Sequence, residues 1–200
     1  GSAITMYKKC EEKYKDDPVA LAANQLAVAR LLAEADLLSD TERFLRRTKH
    51  TLLRVREKIA EHDLKYMRDM LDKLGAYDTL AERIEDIKTL LQQIEENNQT
   101  LSTRSSISQI KAVEKSLEGD KLADINPSDA LEKYSEAFWL DPNNEEYKMK
   151  AISTILHSPT LRSDPVYRAM AKDILRITRP DRLTPMQKAE YERFSNALKN

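Results

Sequence analysis

Three histidines, His50, His62 and His157, and a single cysteine, Cys10, are the side chains with the widest chemical repertoire in this chain, and their spacing suits little of it. No two histidines stand one helical turn apart, the separation at which a helix face grips a metal ion. The paired carboxylates Asp16-Asp17 and Glu95-Glu96 fall at the ends of helical patterns, where they read as solvated charges. Gly75 and Gly119 are the only glycines after Gly1. That scarcity excludes phosphate-cradling loops, dinucleotide fingerprints and nucleophile elbows, each of which needs glycines close together. No catalytic residue, metal or cofactor is therefore expected. Asn98-Gln99-Thr100 is a glycosylation triplet, relevant only in a secreted eukaryotic protein.

The best-organised charge is a stripe. At helical spacing, Arg43, Arg47, His50, Arg54 and Lys58 fall within an arc of about 80°, opposite Leu45, Leu52, Val55 and Ile59. It reads first as a solvated face partly neutralised by the acidic stretch carrying Glu82, Glu85, Asp86, Glu95 and Glu96, and second as a ridge for an acidic protein partner. Nucleic acid or lipid is a weaker third reading, because no aromatic residues interleave with these cations as a base-stacking platform needs.

Around these residues the composition is that of an all-α protein: 40% apolar and 34% charged, with 6% aromatic, and rich in Leu, Ala, Glu, Lys and Arg. A net charge of −1 gives no global field to gather polyanions. One cysteine can form no internal disulfide, which suits a reducing, cytoplasmic setting. No apolar run approaches the roughly 18 residues of a membrane span, so a soluble chain is expected. Gly1-Ser2, without an initiator Met, reads as a cloning scar on a fragment of a longer protein.

Prolines mark the joints. Asp17-Pro18, Asn126-Pro127, Asp164-Pro165 and Thr184-Pro185 each place a capping oxygen before a proline suited to a first helical turn. Ser39…Glu42, Ser106…Gln109 and Thr184…Gln187 fit reciprocal capping boxes. The pattern predicts nine helices, at about 3–15, 18–36, 40–74, 77–98, 107–123, 127–140, 144–157, 165–178 and 185–198. Residues 99–106 read as the main interior loop. The third and fourth helices should form a long antiparallel hairpin over 40–98, reversing at Gly75 as a left-handed cap. The fourth carries a short heptad seam from Tyr77 through Leu80, Ile84, Ile87 and Leu91 to Ile94.

Ala130, Tyr134, Ala137 and Pro142, followed by Asn143-Asn144 and a new helix, carry a recognisable spacing. It resembles the second helix of a tetratricopeptide repeat, in which small residues let helices approach, an aromatic fills the gap and a proline ends the helix. Gly119 lies one residue nearer Ala130 than that pattern expects. Ala3, Tyr7 and Cys10 repeat the spacing near the N-terminus, with Lys15 in the place of the closing proline. Cys10 then fills a small-residue slot, as a buried structural thiol. A degenerate third copy is Thr41, Leu45 and Thr48. The resemblance covers 107–157 and, more loosely, 3–48. It implies an α-solenoid-like stack interrupted by the 40–98 hairpin and closed by capping helices at 158–200, and it implies adaptor work on a polypeptide partner.

Trp139 stands where that family carries a polar outer residue. It packs either on the following helix or the hairpin of its own chain, or on a partner. The candidate partner contacts are Trp139, Arg43, Arg47, Arg54 and Lys58, with Lys121 and Lys148 as repeat-facing polar positions. The leading expectation is a non-enzymatic interaction scaffold, monomeric or a weak homodimer. The alternative is an accessory, sensor or dimerising region of a larger enzyme or secretion assembly, motivated by the heptad seam.

Overall fold

The computed structural model describes residues 2–55, 58–96 and 106–199. Among them are eleven α-helices, two short 3-10 turns and no strand, so the chain is all-α. It divides into two compact units, Gly1–Thr103 and Arg104–Asn200. The glycosylation triplet at 98–100 and the loop expected before residue 106 lie outside the described residues, as do Gly1 and the side chain of Ala3.

The first unit holds α1 (Ser2–Lys13), α2 (Pro18–Glu34), α3 (Leu38–Leu53), α4 (Glu61–Leu74) and α5 (Ala81–Glu96). Its axis is α2, whose sequence is apolar on most sides; α1, α3 and α4 all pack on it, burying Leu21, Ala22, Leu26, Ala29 and Leu32. Asp17 caps α2 as expected, accepting from the Ala20 amide at 3.1 Å. The helix ends in a Schellman turn, with the Asp36 amide donating to the Ala33 carbonyl and that of Leu37 to the Leu32 carbonyl. Asp36 holds the left-handed position with φ 60°, the one described non-glycine residue to do so.

Three local expectations are corrected here. The helix predicted over 40–74 is two helices, α3 and α4, separated by Arg54–Ala60. Neither glycine nor proline marks this break. It lets α3 lie against α2 and α5 while α4 returns to α2, a tertiary demand that local sequence does not announce. Gly75 is right-handed, at φ −62°, because a 3-10 turn at Asp78–Leu80 carries the chain into α5. The Ser39…Glu42 capping box is absent, since α3 starts at Leu38 with Leu37 at its N-cap and no side-chain bond there. α4 and α5 do run antiparallel, as ion pairs from Arg68 to Glu95 and from Lys88 to Asp72 require. The heptad seam is spent inside this unit, for Leu80, Ile84, Ile87, Leu91 and Ile94 are all buried.

The second unit holds α6 (Ser106–Leu122), α7 (Pro127–Leu140), α8 (Glu145–His157), α9 (Pro159–Arg162), α10 (Pro165–Ile177) and α11 (Pro185–Ala197). The Asn126, Asp164 and Thr184 caps predicted from the prolines are present, the last as a full capping box with Gln187. Salt bridges Lys115–Glu136 and Lys133–Glu118, both 3.3 Å, set α6 and α7 antiparallel. Small residues make the approach close: Ala112, Ala130 and Ala137 are fully buried, with Ser116 nearly so. α8 packs on α7, and α10 and α11 pack on α8.

Candidate functional site

The basic stripe is not an outward ridge. α3 lies against α2 on one side and α5 on another, so most of its circumference is covered. Arg47 is 0% exposed, clamped by Glu11 from α1 through bonds of 3.0 and 2.7 Å. Thr51 accepts from the Arg47 guanidinium at 3.3 Å and donates to Gln25, whose amide donates to Glu11 at 3.0 Å, which closes a polar ring. His50 is buried too, and Lys49, which lies off the stripe, reaches Asp86 of α5 at 2.8 Å. Arg43 pairs with Asp40 and is half-buried, as is Arg54; Lys58 is exposed. Of the cations predicted to meet a partner together, Arg47 therefore serves as an internal tie, and Lys58 remains at the surface.

Two further predicted contacts are also internal. Lys148 is buried, its ammonium 3.1 Å from both oxygens of Glu145 and 3.0 Å from the Pro142 carbonyl. Glu145 also accepts from the Arg179 amide, so the pair fastens the start of α8 to the chain after α10. Trp139 is 7% exposed, which leaves almost none of the indole for a partner. Lys121 stays exposed on α6. On α1, Tyr7 is buried edge-on to Phe44, ring centroids 5.5 Å apart, while Cys10 is half-buried rather than buried as expected. Burial first, then the neighbouring Glu11, pushes the Cys10 thiol up, so it is a poorer nucleophile than a free cysteine.

What the second unit offers instead is a cleft of about 740 Å³, open-sided and lined from four helices. Ala123 and Asp124 come from the turn after α6, Pro127 and Tyr134 from α7, Glu146, Met149, Lys150, Ser153 and His157 from α8, Pro159 from α9, and Met186 and Glu190 from α11. At its base the Tyr134 hydroxyl donates to Asp120 at 2.6 Å. Lys150 reaches the same carboxylate at 3.2 Å and stands 5.8 Å from the centre of the Tyr134 ring. Burial and then the Asp120 hydrogen bond push the Tyr134 phenol far up, so it stays a neutral donor.

Ser153 and His157 face each other one helical turn apart, a pairing legible in their spacing but not singled out from it. The Ser153 hydroxyl lies 3.0 Å from His157 Nδ1, yet that nitrogen is also 2.8 Å from the Ser153 carbonyl, which can only accept. Nδ1 therefore carries its proton and cannot take one from the hydroxyl, so the pair is not an activated nucleophile. Among the described residues no group of three or more His, Cys, Asp or Glu could hold a metal ion, and no helix is long and apolar enough to cross a membrane.

Comparison with known protein families, with curated proteins and with solved structures finds no match to this chain.

Proposed function

We propose that the chain is a non-enzymatic polypeptide-binding scaffold whose recruiting surface is the cleft of Arg104–Asn200. The observation that carries this reading is the cleft's form. A volume of about 740 Å³ falls in the range of ligand sites, but the open side suits a chain that runs through rather than a small molecule that is enclosed. Its walls mix apolar Met149, Met186, Pro127 and Pro159 with polar groups, as a peptide groove requires. The sequence resemblance to tetratricopeptide repeats lends support, because α8, the first helix of the following pair in that reading, supplies much of the wall. Immobilised chain should retain labelled random-sequence peptides. Ser153→Trp, which fills the cleft from a half-buried position, should abolish retention while circular dichroism stays unchanged. Retention indifferent to this substitution, or no retention at all, refutes the reading.

A second reading, a dimerising region of a larger assembly, rests on one observation. Ile107, Ile110, Val113 and Leu117 form an exposed apolar stripe on α6, opposite the face carrying Ala112, Ser116 and Gly119. Light scattering that finds only monomer at high concentration removes it.

A further inference from the structure

We infer that the polypeptide this cleft takes is basic, presenting lysine or arginine side chains to Asp124 and Glu190; the inference rests on the binding role proposed above. The cleft walls carry three carboxylates, Asp124, Glu146 and Glu190, against one ammonium, Lys150. That ammonium is already neutralised, since it lies 3.2 Å from Asp120 and 3.7 Å from Glu146. Asp124 and Glu190 have no ion-pair partner among the described residues. Asp124 comes from the turn after α6 and Glu190 from α11, so the negative charge spans the cleft rather than forming a surface patch on one element.

His157 turns its ring onto Ser153 of its own helix. Exposed Met186 and the Pro127 and Pro159 rings offer apolar surface on which the methylene stem of a lysine or arginine can lie while its head reaches a carboxylate. An acidic segment would meet like charge in this cleft, where the single ammonium, Lys150, is already paired. The basic stripe thus misleads about the partner: Arg47, at its centre, is consumed by Glu11 inside the first unit, and the charge lining the cleft is of the opposite sign.

The test uses the full chain and three fluorescein-labelled pools of short peptides with equal apolar content, one enriched in Lys and Arg, one in Asp and Glu and one in Ser and Asn, followed by anisotropy. The basic pool should bind about tenfold more tightly than the neutral one, ~1.4 kcal/mol, with the acidic pool weakest. Asp124→Asn with Glu190→Gln should remove that preference and bring the basic pool down to the affinity of the neutral one. Raising salt from about 0.05 to 0.5 M should weaken the basic pool alone. Neutral or acidic peptides binding as well as basic ones, with Ser153→Trp still blocking them, overturns the basic preference and keeps the scaffold reading. Failure of all three pools overturns both.

Discussion

The ring of Tyr134 lies where a β-carbon on Gly119 would be: built there, it would stand 2.6 Å from Cε1 and 2.9 Å from Cδ1. This contact explains the only glycine in α6. Glycine in mid-helix costs roughly 1 kcal/mol against alanine, and here it admits the aromatic that fills the α6–α7 interface. Gly119→Ala should therefore destabilise despite its better helix propensity, by about 1–2 kcal/mol. In a Tyr134→Leu background the same substitution should become neutral or favourable. Urea denaturation of the four proteins closes the cycle, and an independent, additive effect of Gly119→Ala would show that the close approach is not what matters.

The hydrogen bond from Tyr134 to Asp120 gives the fold an alkaline limit. With its phenol raised in the folded state, this residue's contribution to stability is complete below the ordinary tyrosine value of about 10 and falls as pH rises beyond it, since the unfolded chain ionises first. Tyr134→Phe should cost about 1 kcal/mol at neutral pH for the lost bond and flatten the stability profile above about pH 10. Unchanged alkaline slopes would contradict this.

Arg47 and Glu11 should prove strongly coupled. Glu11→Gln leaves a fully buried guanidinium without its counter-charge and is expected to cost about 3–5 kcal/mol, whereas pairing it with Arg47→Met should recover much of that loss. Thermal melts of the single and double variants measure it. Equal stabilities of Glu11→Gln and the native chain would remove the ring from any account of the first unit.

Asp36 at the end of α2 should tolerate glycine and resist branching. Asp36→Gly relieves the left-handed backbone and should be neutral to slightly stabilising, while Asp36→Val should cost about 1–2 kcal/mol. Guanidinium midpoints distinguish the two.

Trp139, the sole tryptophan, should be slow to quench. Acrylamide should reach it far less readily in the folded chain than in the denatured one, with the emission maximum shifted to the blue. Emission like that of free indole would contradict its burial.

The residues that could be read correctly from the chain are those whose role is local. Asp17, Asn126, Asp164 and Thr184 announce helix starts because a capping side chain and a proline act within one turn, and Ala130, Tyr134 and Ala137 announce burial because their spacing defines one helix face. The open cleft was not legible, since Asp124 belongs to a turn and Lys150 and Glu190 to separate helices, and no periodicity links them.

Sequence alone determined that this protein is helical, where most of its helices begin and which faces of α7 are apolar, all consequences of backbone hydrogen bonding and hydrophobic period over a few residues. Tertiary structure decided the break between α3 and α4, the fate of the basic stripe and the sign of charge left in the cleft. A charge pattern specifies which side of a helix is cationic but not what that side meets. Glu11 lies 36 residues before Arg47, and only folding brings them to 2.7 Å.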